Sequence, residues 1–201
     1  MEKPKKQPTQ ERSGALFASI IESAARILPG MGYARSTTNK IAELAGVSIG
    51  SLYQYFPNKG AIFATLIERE LAAHSAAVVE VLESSGDQPL STIIDRVVTR
   101  TFPLFMSKKE LVRELFLKAA PQLDKVKEIL FARNLLIERL AALVAEKKKV
   151  PMDEAKKKVF VAVNAFMGIV QTCVMMESIP VVSDEIPHQI SELLVGYLDR
   201  R

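Results

Sequence analysis

The chain has 201 residues, of which 48% are hydrophobic and 25% charged, and it carries 27 Lys and Arg against 23 Asp and Glu. This composition excludes a disordered or fibrous protein and predicts one or two soluble globular domains. Cys173 is the one cysteine in the sequence, so an intramolecular disulfide cannot form and a reducing cytoplasm is the expected compartment. The first eight residues lack the apolar run of a secretory signal.

The excess of positive charge lies in the amino-terminal third. Residues 1–60 hold 8 basic and 4 acidic residues, which leaves 19 of each in residues 61–201. A localised basic excess is the electrostatic footprint of a protein that binds phosphates. We therefore expect residues 1–9 to form a flexible basic arm, and the residues that follow to contact nucleic acid.

Helical periodicity and helix breakers predict an all-α protein. Apolar residues at helical spacing predict a first helix over 9–28, which Pro29-Gly30 would end. A long helix is expected from Lys59 to about Glu83, and residues 84–87 form a loop that we take as a domain boundary. Further helices are expected near 89–106, 108–119, 122–148, 152–178 and 183–199.

Residues 37–56 predict two short helices joined by a tight turn. Thr37 or Thr38 can cap the first helix, whose buried face would carry Ile41, Leu44 and Ala45. Gly46 suits the left-handed conformation at the end of that helix, and Ser48 can cap the next one.

The second of these helices has two distinct faces. Leu52 and Phe56 are expected in the core, which leaves an exposed face made of Ile49, Gly50, Ser51, Tyr53 and Tyr55. An exposed isoleucine and two tyrosines need a partner that covers them, and DNA would do so. The pattern predicts a helix-turn-helix, whose second helix enters the major groove.

The order and spacing of residues over roughly 10–70 resemble the amino-terminal DNA-binding domain of the TetR family of bacterial regulators. The resemblance implies a three-helix DNA-binding domain over 10–58, a connecting helix over 59–83, and a helical effector-binding and dimerisation domain over 84–201. It is carried by Arg12, Ala24-Ala25, Ile27-Leu28, Gly32-Tyr33, Thr37-Thr38, Ile41-Ala42, Ala45-Gly46-Val47-Ser48, Gly50, Leu52-Tyr53, Tyr55-Phe56 and Lys59.

The resemblance also implies which residues contact DNA. Ile49 departs from the lysine that is common at its position, so an apolar surface replaces a cation. Tyr53 and Lys59 match phosphate-contacting positions. The expected DNA-binding set is Thr37, Thr38, Asn39, Lys40, Ser48, Ile49, Gly50, Ser51, Tyr53, Gln54, Tyr55 and Lys59.

The last two predicted helices point to a homodimer. Residues 186–198 carry one apolar stripe, and the helix before it is apolar all round from Val159 to Met176, so it needs partners on several sides. Two helices from each of two chains would form a four-helix bundle, as in the family that the chain resembles. The expected interface residues are Ile190, Leu193, Leu194 and Tyr197.

By the same resemblance, the carboxy-terminal domain should hold a small effector that shifts two DNA-binding heads out of register on a palindromic operator. Its many Phe and Met residues would suit an adaptable, largely apolar pocket. The expected lining is Phe102, Phe105, Met106, Phe116, Phe131, Asn164, Met167 and Gln171. Repression relieved by the effector is the favoured mechanism, and an activator with the same architecture is the alternative.

Two other protein classes were weighed, a membrane-associated protein and an enzyme. Residues 159–176 run for 18 residues without a charge, which makes a membrane-associated helical protein a rival interpretation. Asn164, Gln171 and Thr172 argue against it, because each would need a hydrogen-bond partner in lipid. An enzyme is not expected, nor a metal or cofactor, because the sequence lacks a phosphate loop and a metal-binding pair of histidines. His74, in a run of alanines, is expected on a helix surface.

Overall fold

A computed structural model of the chain describes residues 11–176 and 185–200. Within those ranges the elements are helices and no strand is present, which confirms the all-α prediction. The predicted basic arm over 1–9 lies outside the described residues. The helices are α1 Glu11–Arg35, α2 Thr38–Ala45, α3 Ile49–Tyr55, α4 Lys59–Glu83, α5 Leu90–Ser107, α6 Lys109–Val112, a π-helix Arg113–Ala119, α7 Ala120–Gln122, α8 Val126–Lys148, α9 Met152–Met175 and α10 Ile186–Asp199.

The chain forms two compact units. Residues 11–71 and 110–127 make up the first unit, and residues 72–109 and 128–200 make up the second. Helix α4 begins in the first unit and ends in the second. The sequence did not indicate that residues 110–127 would pack with the amino-terminal helices.

Helix α1 runs further than predicted. Pro29 lies inside it, and the helical backbone breaks at Gly32, where φ is 69°. The prediction that Pro29-Gly30 ends the helix is therefore wrong. A proline removes one hydrogen bond and kinks a helix without always ending it, whereas a left-handed φ interrupts the helical backbone outright and favours glycine.

The core of the first unit is built from the apolar faces of α1 and α4. Ile20, Leu28, Phe63 and Leu66 are fully buried, and Leu115 of the π-helix is buried with them. Full burial of a side chain of this size stabilises a fold by about 1.5–3 kcal/mol. Helices α2 and α3 are attached to this core.

The second unit is built around α5, α9 and α10. Helix α10 packs on α5 and on α9, and it buries Ile190, Leu194 and Leu198. The loop between α4 and α5 lies where it was predicted, and Arg96 holds it by donating to Ser84 Oγ at 2.8 Å and to Gln88 Oε1 at 2.9 Å.

Candidate nucleic-acid interface

Helix α2 is capped at both ends by the residues that the sequence indicated. Thr37 Oγ1 accepts a hydrogen bond from the Lys40 N–H at 3.3 Å, and Gly46 ends the helix in the left-handed conformation with φ of 66°. Its buried residues are Ile41 and Ala42. Leu44 is exposed, so the prediction that it belongs to the buried face is wrong.

Helix α3 begins with a serine cap and ends in the core. Ser48 Oγ accepts from the Ser51 N–H at 3.1 Å and lies 2.8 Å from Ser51 Oγ. Leu52 and Phe56 are fully buried, as predicted. The Phe56 ring stacks on Phe17 of α1 with the two ring centroids 4.9 Å apart. These contacts fix the orientation of α3 on the first unit.

The opposite face of α3 is open to solvent. Ile49 is 38% exposed and Tyr53 is 44% exposed, and because they are four residues apart they lie on the same side of the helix. Tyr53 OH and Thr38 Oγ1 are 3.1 Å apart, so the two short helices meet through a pair of hydroxyls. Exposed beside them are further residues of the predicted set: Asn39, Lys40, Ser48, Gly50 and Gln54.

Tyr55 does not belong to this open face. It is 8% exposed, its hydroxyl lies 3.0 Å from Ser13 Oγ, and its ring meets the edge of Phe17. The prediction that Tyr55 lies on the exposed face is wrong. A residue two positions after Tyr53 is rotated by about 200° around a helix, and α1 covers that side.

Lys59 has a structural role that the sequence analysis missed. Its Nζ donates to the Tyr33 carbonyl at 2.9 Å and to the Ala34 carbonyl at 3.1 Å, and it lies 4.5 Å from the centroid of the Tyr33 ring. The ammonium thus satisfies carbonyls at the end of α1. A signal was present, because a cation in the first turn of α4 opposes the helix dipole and needs another partner.

The predicted effector-binding residues are divided between the two units and differ in exposure. Phe116 belongs to the first unit, Phe131 is 71% exposed, and Gln171 is exposed too. Asn164 donates its side-chain N–H to the Phe160 carbonyl of its own helix at 2.7 Å. Phe102, Phe105, Met106 and Met167 are buried or partly buried in the second unit.

A different aromatic cluster lies in the second unit. His74 stacks on Phe105 with ring centroids 4.1 Å apart and planes inclined by 13°, and Phe166 approaches the same Phe105 ring at 6.4 Å. His74 was expected on a helix surface, whereas it is partly buried against an aromatic ring. The alanines around His74 gave no indication of this contact, because its partner Phe105 belongs to α5.

The predicted dimer residues fall on two sides of α10. Ile190 and Leu194 are buried inside the second unit, so the prediction that they lie at a subunit contact is wrong. Leu193 is 59% exposed and Tyr197 is partly exposed. The apolar stripe of α10 is wider than the surface that α5 and α9 cover, and Leu193 lies at its uncovered edge.

Helix α9 exposes several large apolar side chains to solvent. Within the described ranges it is the helix that is long and apolar enough to cross a membrane by length and composition, although most of that stretch is not buried by the chain. One such helix is weak evidence for a membrane protein, because core helices of soluble proteins meet the same measure. Its exposed large side chains are Met152, Phe160, Val161 and Met175.

Candidate metal ligands and the cysteine can be located in the described part of the chain. No group of three or more His, Cys, Asp or Glu residues there could hold a metal ion. Cys173 is buried, and burial raises the pKa of its thiol, an effect that the nearby Lys109 opposes only in part. A raised pKa reduces the thiolate fraction at neutral pH, so Cys173 behaves as a small core residue.

Comparisons with known proteins agree with this geometry. A family model described as bacterial regulatory proteins of the tetR family matches residues 20–66. Over 60 residues the chain is 42% identical to the HTH-type transcriptional regulator TtgR of Pseudomonas putida. That match covers 30% of this chain and 29% of the regulator, so the chain aligns with less than a third of the length of this curated relative.

Two solved structures share the fold over nearly the whole chain. The fatty acid degradation regulator FadR from Bacillus halodurans has a TM-score of 0.75 at 21% identity, covering 98% of this chain and 100% of that one. FadR from Bacillus subtilis in complex with stearoyl-CoA has a TM-score of 0.65 at 21% identity, covering 90% of this chain and 98% of that one.

A capped helix pair with one face anchored to α1 and the other face open defines a helix-turn-helix protein. The family match at residues 20–66 includes both of these helices and the first turns of α4. Residues 20–66 therefore match the DNA-binding domain of the tetR family of bacterial regulatory proteins, which supports the resemblance that the sequence indicated.

Proposed function

We propose that the chain is a cytoplasmic repressor, which binds a palindromic operator in double-stranded DNA as a homodimer and is released by a small, largely apolar effector. The observation that carries the proposal is the open face of α3. Ile49 and Tyr53 are exposed there, while the buried face of the same helix is held by Leu52 and Phe56. A capped helix that is anchored on one side and exposes Ile49 and Tyr53 on the other fits a groove that will cover it.

The proposed mechanism depends on the spacing of two recognition helices. In a twofold dimer the helices enter successive major grooves about 34–36 Å apart. A ligand that prefers the wrong spacing by about 1–3 kcal/mol lowers operator affinity roughly 5- to 150-fold. Helix α4 is proposed as the lever, because it belongs to both compact units.

The proposed dimer is supported by glycines inside the last two helices. Gly168 in α9 and Gly196 in α10 would each meet no atom within 4 Å if a Cβ were added. Such glycines cost a helix about 1 kcal/mol each relative to alanine, and the packing of their own chain gives no reason for them. Close approach of helices from a second copy provides one, since Phe160 and Leu193 are also uncovered.

The effector is proposed to be a fatty acid or its thioester. The Bacillus subtilis FadR structure with which this chain shares its fold was solved with stearoyl-CoA. In this chain Phe105, Phe166 and His74 form an aromatic cluster in the second unit. An apolar tail could pack on these rings, with a polar group near the imidazole to orient it.

Two experiments test the proposal. Binding-site selection with the purified full chain is expected to return a palindrome, and a reporter controlled by that site should be repressed by the protein and released by a long-chain acyl thioester. Reporter activation by the protein would favour the activator alternative. The proposal would be refuted if the selection returned no sequence preference.

A further inference from the structure

The open face of α3 contains no charged side chain. Residues 44–58, which include all of α3 and both of its flanking turns, hold neither a basic nor an acidic residue. Guanine is most often read in the major groove by the bidentate donors of Arg or by Lys. This helix therefore cannot read guanine with a cation.

The hydroxyl groups of the face are already engaged with one another. Ser48 and Ser51 share a hydrogen bond of 2.8 Å at the start of the helix, and Tyr53 and Thr38 share one of 3.1 Å further along. Ile49 lies between Ser48 and Ser51 in sequence, and its side chain is the large apolar group at the amino-terminal turn of α3. That turn is the part of a recognition helix that contacts base edges.

Gly50 has no conformational or packing requirement within the chain. Its backbone is right-handed helical, and the nearest atom to an added Cβ would be Ser48 Oγ at 3.9 Å, an ordinary contact. An alanine would fit and would lose less backbone entropy on folding. On an exposed turn that faces a proposed partner, the lack of a side chain leaves room for that partner to approach the backbone closely.

We infer that each operator half-site presents a thymine methyl group to Ile49 in the major groove, and that Gly50 allows the first turn of α3 to come close enough for that contact. Thymine is the base whose major-groove edge carries a methyl group, so it is the apolar complement of an isoleucine. The inference rests on the proposed function and identifies one feature of the operator, an A·T pair opposite Ile49 in each half-site.

A double-mutant cycle between protein and DNA tests the inference. Each thymine of the selected operator is replaced in turn by uracil, which removes the C5 methyl and keeps every hydrogen-bonding group. At one symmetric pair of positions, wild-type affinity is expected to fall about fourfold per half-site, or about fifteenfold for both, from roughly 0.8 kcal/mol for each buried methyl. The Ile49→Ala variant should bind thymine and uracil operators at that position equally, whereas Ile49→Val should keep most of the difference.

A second variant tests the close approach. Gly50→Ala is expected to unfold at the same temperature as the wild type or higher, and to bind the operator at least tenfold more weakly. If Gly50→Ala binds with wild-type affinity, or if no thymine position is coupled to Ile49, the inference is overturned while operator binding stands. If the wild-type chain selects no sequence at all, the proposed function and this inference both fail.

Discussion

Two tyrosines of α3, which lie two positions apart, have different surroundings and therefore different expected roles. Tyr53 is uncovered and shares a hydrogen bond with a hydroxyl of α2, whereas Tyr55 is buried against α1 and bonded to Ser13. Both have the same side chain and belong to the same short helix. Because their neighbours differ, Tyr53 is a candidate DNA contact, whereas Tyr55 stabilises the packing of α3 on α1.

Replacing each tyrosine by phenylalanine should separate these roles. Tyr55→Phe removes a part-buried hydrogen bond and is expected to lower the free energy of unfolding by about 0.5–1.5 kcal/mol, with little effect on operator affinity. Tyr53→Phe should leave stability within about 0.5 kcal/mol and weaken binding to all DNA sequences about equally. Urea unfolding and operator titration measure the two effects. A stable Tyr55→Phe variant that binds poorly would return Tyr55 to the DNA-binding set.

Lys40 and Lys59 form a second pair with different surroundings. Lys59→Ala should lower the free energy of unfolding by about 1.5–3 kcal/mol, because it removes charged hydrogen bonds to two carbonyls. It should also shrink the slope of log affinity against log salt by roughly one unit for every phosphate that is no longer neutralised, or about two per dimer. Lys40→Ala should change only the slope. An unchanged slope for Lys59→Ala would leave Lys59 with a structural role alone.

At the scale of the element, residues 110–127 pack against the two ends of the helix-turn-helix. Glu114 Oε2 would lie 3.2 Å from a Cβ at Gly32, and Leu123 Cδ2 would lie 3.3 Å from one at Gly60. Lys125 Nζ also pairs with Glu68 of α4 at 3.0 Å. Residues 110–127 thus contact both the turn that precedes α2 and the turn that begins α4.

Glycines 30 and 32 provide a matched test of this packing. Gly32→Ala places a Cβ on a left-handed backbone and against Glu114, and it should destabilise the fold by about 1–2 kcal/mol from the backbone alone. Gly30→Ala meets no atom within 4 Å and should be neutral or stabilising by up to about 1 kcal/mol. Thermal unfolding of both variants gives the comparison. Equal melting temperatures would mean that the break at Gly32 carries no constraint.

At the scale of the whole molecule, the uncovered surface of α9 and α10 defines the proposed subunit contact. Helix α9 presents Phe160 and Val161, and α10 presents Leu193 at the edge of its apolar stripe. A monomer would leave these side chains in water and would offer one recognition helix in place of two. DNA binding and dimerisation are therefore expected to fail together.

Adjacent leucines of α10 allow the proposed interface to be tested without ambiguity. Leu193→Glu should give a folded monomer whose operator affinity falls by orders of magnitude, because a monomer binds only one half-site. Leu194→Glu should instead destabilise the chain itself by several kcal/mol, because the charge is buried unpaired within its own unit. Sedimentation, far-UV circular dichroism and operator titration distinguish the two. A folded Leu193→Glu dimer would place the interface elsewhere.

Features that depend on neighbours along the chain were determined by the sequence. The caps at Thr37 and Ser48 and the left-handed Gly46 all follow from interactions within a few residues. Such interactions are available to an isolated segment. They were sufficient to predict the helix-turn-helix, while the resemblance to the TetR family came from the order and spacing of residues over roughly 10–70.

Only the tertiary structure decided which apolar positions were covered. The sequence could not place Tyr55 against Ser13, 42 residues away, or separate the buried Leu194 from the exposed Leu193. A hydrophobic stripe gives the period of a helix, but the edge of the stripe that is buried depends on a helix from elsewhere in the chain. The attachment of residues 110–127 to the first unit was hidden for the same reason, since its partners lie about 60 to 80 residues earlier in the chain.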